Sequence, residues 1–388
     1  MSYWRLSSWY FFYFAFIGAF SPYFALYLQS LGLSAWNISV LLSLMQVMRM
    51  VAPNLWSWLA EHFGSKTLIV RASAALCLLG FASFFVSTAF TGMFLGMVFL
   101  AFFWSASLPL VEALTLAHLR LQAERYGSIR VWGSVGFIAA VLGFGALLDA
   151  FPLGYLLWGC MILLAGLFAS SLALSEPPSG QPTKFSPALG VTLRQPQVLT
   201  LLATSFLMSA AHGALYVFYS IHLVEHGYGK ILVGSLWALG VVAEILVFLL
   251  MPRLLRRYSL RAILLTSFAC AVLRFLMIGW GVEFLVLMLL AQLLHGATFG
   301  AHHAVAVAAL HRWFPAPQQA RAQALYGSAT FGAGGMLGGL LSGQTWDAWG
   351  AGWTFSVGAL FALAGLLLVW VGMRKELSAA TPVPVAGV

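Results

Sequence analysis

The chain has 388 residues, of which 62% are hydrophobic and only 7% charged, and a net charge of +9. A soluble domain carries about 25% charged residues, so no water-soluble fold can hide this much apolar surface. This composition specifies an all-α polytopic membrane protein, and the positive charge is not the footprint of a nucleic-acid binder.

Apolar runs broken by short loops predict twelve spans, at 8–30, 36–60, 67–88, 92–118, 127–149, 153–174, 197–223, 231–251, 261–281, 284–311, 321–345 and 350–373. Each is long enough to cross the hydrocarbon, which takes about 20 apolar residues as a helix. The first run is too long for a signal-peptide core and is read as the first span. Its aromatics Phe16, Phe20, Tyr23 and Tyr27 form a stripe. Arg49 lies in the second span, Glu112 in the fourth and Arg130 in the fifth. The polar segment 176–196, rich in Pro, Ser and Gly, reads as a cytoplasmic linker between two six-helix halves, 1–175 and 197–376, and 377–388 as a disordered tail.

The second half carries more polar groups inside its spans. His212, Tyr216 and Tyr219 share a stripe in the seventh span, and Trp237, Gly240 and Glu244 share one in the eighth. Arg274 is in the ninth. In the tenth, Gln292, His295, Phe299, His302 and His303 fall within roughly a 100° arc of an ideal helix. A charge at mid-membrane costs roughly 2.5–3.5 kcal/mol on insertion scales. Glu244 is therefore expected to face a polar cavity, the bland alternative being a buried ion pair that only ties helices together. Converted to depth, Glu244 and His303 lie roughly 10 and 12 Å from the cytoplasmic ends of their helices and are expected to be within reach of each other. Arg274, roughly 20 Å deep, is expected to bend toward Glu244 as its partner. Glu112 is expected to pair with Arg130 or Arg49. His295, His302 and Glu244 form no closed ligand set, so no metal is expected. Cys77, Cys160 and Cys270 all fall in apolar runs and suggest free thiols.

Sixteen of the 19 basic residues fall on one side if the N-terminus is cytoplasmic, counting those at the cytoplasmic ends of spans such as Arg130, with Lys230 alone outside and Arg49 and Arg274 assigned to span interiors. This bias places both termini in the cytoplasm. The halves also repeat. Tyr126-Gly127-Ser128 and Tyr326-Gly327-Ser328 open the fifth and eleventh spans, which end at Asp149 and Asp347. Two parallel six-helix repeats are the major facilitator architecture, with a site expected near the midplane.

Six stretches carry a family resemblance: RYGSIRVWGSVGF (125–137), SAAHGALY (209–216), LWALGVVAEILVF (236–248), LRRYSLRAIL (255–264), VLRF (272–275) and QLLHGATFGAHH (292–303). With these the chain resembles the phenylpropionate permease branch of the major facilitator superfamily, near the nucleoside and oligosaccharide proton symporters. The loop after the second span departs from the superfamily pattern at Ser57, Glu61 and His62. A more distant resemblance is to the lactose permease family, which also sets Glu, Arg and His on the eighth, ninth and tenth helices. The second carboxylate of that family is replaced here by apolar Val305 or Ala306.

The resemblance implies a secondary transporter of the bacterial inner membrane, carrying a small aromatic carboxylate inward with protons. A nucleoside or sugar symporter is the alternative, and a non-transporting receptor would need an output domain that the sequence does not contain. No nucleophile–base set, nucleotide loop or Walker A sequence is present, so neither an enzyme nor a cofactor is expected. Expected proton carriers are Glu244, His303 and Glu112. Expected substrate contacts are Arg274, Arg49, Arg130, His212, His295, Tyr216 and Trp237. The expected partners are the substrate, protons and membrane lipid, around a monomer.

Overall fold

The computed structural model describes residues 3–119, 125–176 and 189–373. The predicted tail and most of the predicted linker lie outside the described residues. Helices follow each apolar run: α1 (Tyr3–Ser30), α2 (Ala35–His62), α3 (Lys66–Ala82), α4 (Phe90–Leu119), α5 (Tyr126–Ala150) and α6 (Tyr155–Leu172). The second series is α7 (Pro196–Ala211 and Gly213–Glu225), α8 (Lys230–Arg257), α9 (Leu260–Trp280), α10 (Leu285–Leu293, a π turn Gly296–Ala301, then His302–Trp313), α11 (Ala316–Gly327, a π turn Ser328–Gly334, then Gly335–Trp349) and α12 (Ala351–Gly372). Eleven of these runs are long and apolar enough to cross a membrane. The remaining one, α11, begins with the polar turns APQQARAQ before its glycine-rich stretch. Side chains such as Leu79, Ile162, Leu249 and Val286 are about two-thirds exposed. In hydrocarbon such side chains face their preferred solvent, and backbone groups must be satisfied within each helix.

The described residues group into two compact units, residues 3–176 with 227–238, and residues 189–226 with 239–373. In the first, α1 packs on α5 and α6, α3 on α4 and α6, and α2 on α4. In the second, α7 packs on α11 and α12, and α9 on α12. These pairings correspond one for one with pairings of the first unit, which is the structural form of the repeat. Close approach uses small residues: a Cβ at Gly18 would lie 2.5 Å from the Phe137 carbonyl oxygen.

The repeat extends to the helix ends. Gly32 and Gly227 end α1 and α7 with φ of 79° and 84°, a left-handed backbone that favours glycine. Arg71 in the first turns of α3 donates to the Ser171, Leu172 and Leu174 carbonyls at the end of α6. In the other unit Arg261, in the first turn of α9, donates to the Trp370 carbonyl at the end of α12. Each arginine satisfies carbonyls that a helix C-terminus leaves unpaired. The first unit adds a reciprocal clamp: Glu176 accepts from the Thr67 backbone N–H at 2.6 Å and the Ser65 hydroxyl at 3.0 Å, at the start of α3.

The six-helix division assigns α8 wholly to the C-terminal half, yet its first turns pack with the first unit. The Asp149 carboxylate accepts from the backbone N–H groups of Lys230 and Ile231 at 2.8 and 2.9 Å, and the Lys230 ammonium lies 3.7 Å away. A carboxylate satisfies otherwise unpaired donors at a helix N-terminus.

Candidate functional site

Among the described residues, each unit holds a cluster of charged and aromatic groups within its helices that includes the residues expected to act. In the second unit the cluster is built on α7, α8, α9, α10 and α11. Arg274 of α9 is fully enclosed. Its Nε donates to the Ala291 carbonyl at 2.8 Å, Nη1 to Thr298 Oγ1 at 3.1 Å and to His212 Nε2 at 3.2 Å, and Nη2 to Gln292 Oε1 at 3.3 Å. Every acceptor is neutral, and among the described residues no carboxylate lies within 4 Å of this guanidinium. His212 sits where α7 is interrupted, and its Nδ1 is 2.8 Å from the Met208 carbonyl. A carbonyl only accepts, so Nδ1 carries the proton and Nε2 is left to accept from Arg274. His212 is therefore fixed as a neutral acceptor by bonds at both ring nitrogens.

Glu244 does not meet Arg274. Its Oε2 lies 3.7 Å from His295 Nε2. That contact depends on the glycines of α10. A Cβ at Gly296 would lie 2.6 Å from the Ala243 carbonyl oxygen, and one at Gly300 3.3 Å from the Glu244 Cγ. The motif Gly-x-x-x-Gly at 296–300 thus lets α8 press onto α10 at the level of the carboxylate. The expected Glu244–His303 contact is also not formed: His303 Nδ1 is 3.1 Å from the Tyr326 hydroxyl.

A π turn separates His295 from His302 and His303. It widens α10 by about one residue per turn, so the 100° arc of an ideal helix does not hold across 296–301. His295, Phe299 and His303, spaced by four, become a stacked column with centroids 5.4 and 6.1 Å apart and planes 15° and 14° apart. His302 turns out of that column to meet Phe268 of α9 edge-on, and Gln292 points to Arg274. Tyr216 stays with its predicted neighbour: its ring lies 6.0 Å from that of His212. Trp237 is buried on α8.

In the first unit, Glu112 of α4 is 3.4 Å from the Tyr126 hydroxyl at the start of α5. The expected ion pairs with Arg130 and Arg49 are not made within 4 Å. Arg130 is half-buried, and its guanidinium lies over the Phe14 ring at 4.0 Å and the Tyr10 ring at 5.5 Å. Such contacts stabilise a guanidinium without neutralising it. Arg49 is exposed. In the same unit Trp9, Tyr13 and Trp104 stack with centroids 4.9 and 4.3 Å apart. Sequence reasoning set Gln292 on the polar arc of the tenth span but passed over Thr298, Tyr326, Phe14 and Tyr126 as contacts of the charged groups. Of these, Tyr126 and Tyr326 carried a visible signal, since they occupy equivalent places in the repeated Tyr-Gly-Ser.

Groups of three or more His, Cys, Asp or Glu able to hold a metal do not occur among the described residues.

Comparison with known proteins places the chain in a family. The model of the MFS_1 like family matches residues 3–357. A probable 3-phenylpropionic acid transporter of Escherichia coli is 30% identical over 366 residues, covering 92% of this chain and 95% of that protein. Maltose permease of Geobacillus stearothermophilus is 25% identical over 373 residues, covering 95% and 94%. A putative nucleoside transporter of Escherichia coli is 25% identical, covering 89% and 88%. Among solved structures, the nucleoside transporter NupG superposes with a TM-score of 0.81 at 18% identity, covering 98% of this chain and 100% of that one.

Proposed function

The chain belongs to the MFS_1 like family of major facilitator secondary transporters, and on that premise we propose that it carries a small aromatic carboxylate into the bacterial cell together with a proton. The observation that carries the reading is two cations that make no close ion pair. Neither Arg130 nor Arg274 has a carboxylate within 4 Å among the described residues, although buried or half-buried cations are costly unless paired. An anionic substrate supplies the missing partner. Arg130, half-buried among Phe14 and Tyr10, is the group that can touch it. Arg274, enclosed by neutral acceptors, acts as a fixed positive charge in the wall and orients His212, Gln292 and Thr298. Tyr216, His295, Trp237 and Arg49 complete the proposed substrate contacts. The name of the Escherichia coli relative, with its phenylpropionic acid, supports the aromatic half of the reading.

Glu244 is the proposed principal proton carrier, with His295 rather than Arg274 as its immediate partner. A carboxylate and an imidazole at 3.7 Å can share a proton through a small approach of either side chain. Glu112, with no basic partner within 4 Å among the described residues, and His303, with Tyr326, are the secondary candidates. Lys and Arg placement supports both termini being cytoplasmic, and the proposed carrier is a monomer in the inner membrane. The maltose and nucleoside relatives favour a second reading, a proton symporter for a neutral polyol substrate. Uptake into proteoliposomes with and without an imposed pH gradient, competed by aromatic acids and by a nucleoside and sugar panel, tests both. Competition by nucleosides or sugars alone overturns the carboxylate reading, and accumulation indifferent to the gradient overturns proton coupling.

A further inference from the structure

The sequence Ala-Thr-Phe-Gly-Ala occurs twice, at 297–301 in α10 and at 329–333 in α11, and both copies lie in π turns. A π turn in a helix frequently marks a functional site. Here the two copies line one recess within the second unit, of about 30 Å³. Thr298 and Thr330 hold equivalent places in the motif, as do Phe299 and Phe331. The recess is chemically two-sided. Its floor is buried and polar, with Thr298, Thr330, His302 and Tyr326 each no more than 3% exposed. Its rim is half-exposed and aromatic, formed by Tyr216, Phe299 and Phe331. The two Phe rings lie 6.2 Å apart at 46°.

Two buried atoms of residues that line the recess, His302 Nε2 and Thr330 Oγ1, find no hydrogen-bond partner among the described residues. Buried polar groups are nearly always satisfied, and each exception needs an explanation. The neighbouring floor groups are already engaged: Thr298 accepts from Arg274, and Tyr326 bonds His303. The free capacity is therefore that of one hydroxyl and one imidazole nitrogen, and a small O–H group is the right chemistry for either. A volume of about 30 Å³ has room for a group the size of water and is far too small for a ring.

We infer that this recess is a specificity pocket for a hydroxyl carried on the ring of the substrate: the hydroxyl reaches Thr330 and His302 while the ring rests against the rim aromatics. The inference rests on the aromatic-acid reading above and narrows it to ring-hydroxylated acids. A site built to bond a substrate hydroxyl discriminates strongly against the analogue that lacks it, because its own polar groups are then left without that partner.

The test uses the full-length carrier in proteoliposomes, with 3-phenylpropionate and its ring-hydroxylated analogues as probes. Affinities are read by counterflow in wild type, Thr330→Val and Thr330→Ser. Wild type is expected to prefer one hydroxylated isomer by about tenfold or more. Thr330→Val, nearly isosteric, should collapse that preference to near unity, and Thr330→Ser, which keeps the hydroxyl, should retain most of it. Thermal unfolding of each variant identifies any that fails to fold, and the wild-type preference stands as a test without variants. Equal wild-type affinities for the hydroxylated and unsubstituted acids overturn the pocket and leave a water site in its place, with the aromatic-acid reading intact. A preference that survives Thr330→Val also overturns it. If wild type carries neither class, the aromatic-acid reading itself fails and the inference falls with it.

Discussion

Glu244 and Arg130 are the side chains whose replacement separates transport chemistry from helix packing. Glu244→Gln mimics the protonated carboxyl at nearly the same volume. It is expected to keep substrate exchange in counterflow and to lose accumulation driven by a pH gradient. Gradient-driven accumulation at the wild-type level would transfer the proton role to Glu112. Arg130→Lys keeps the charge but loses the planar fork that holds a carboxylate by two parallel bonds and stacks on Phe14. The expected result is a rise of about tenfold in KM for the anionic substrate with little change for a neutral one. An unchanged KM would show that Arg130 serves only to hold α5 against α1. Arg274 behaves differently, because it is enclosed and its four bonds organise its neighbours. The sequence singled out all three residues as charges inside spans. It did not show that the neutral acceptors of α7 and α10 would claim Arg274, since hydrogen-bond partners 17 to 62 residues away depend on helix rotation.

At the scale of the helices, close packing and end-capping are the testable devices. Gly296→Ala places a methyl against the Ala243 carbonyl, so α8 and α10 must separate. Overpacking of this kind costs about 1–3 kcal/mol. The expected outcome is a lowered thermal midpoint and weakened proton coupling, since the Glu244–His295 contact depends on the same approach. Wild-type stability and coupling in Gly296→Ala would show that α10 tolerates the methyl by shifting. The clamp between α3 and α6 is a second case. Glu176→Ala removes a side-chain cap from the start of α3, a change that costs about 1 kcal/mol at ordinary N-caps. A lowered thermal midpoint in Glu176→Ala, with transport per folded molecule preserved, is expected. The helices themselves were legible as apolar runs, and their caps less so. Glu176 reads as the first residue of a linker, and only the approach of α6 to α3 makes it a cap.

For the whole molecule, the repeat and the charge bias make the topology testable. Single cysteines introduced at Lys66 and at Arg256 should react with an impermeant thiol reagent from the cytoplasmic side only, and one at Glu225 from the outside only, in a background lacking Cys77, Cys160 and Cys270. Labelling from the opposite sides would invert the orientation. The membrane class, the helix runs, the twofold repeat and the family were determined by the sequence alone. Apolar length, basic-residue bias and recurring motifs are local or statistical properties, and they survive without knowledge of contacts. Which charges meet was decided only by the tertiary structure. Helix rise alone sets Glu244 level with His303 and within a side chain's bend of Arg274, and an ideal phase keeps His302 and Gln292 within one arc of roughly 100°. Two π turns, at 296–301 and 328–334, shift the phase of α10 and α11, and the glycines of 296–300 bring α8 close enough for Glu244 to reach His295 instead. Each is a change of rotation or separation, so it redirects side chains while leaving the apolar runs that mark the helices unaltered.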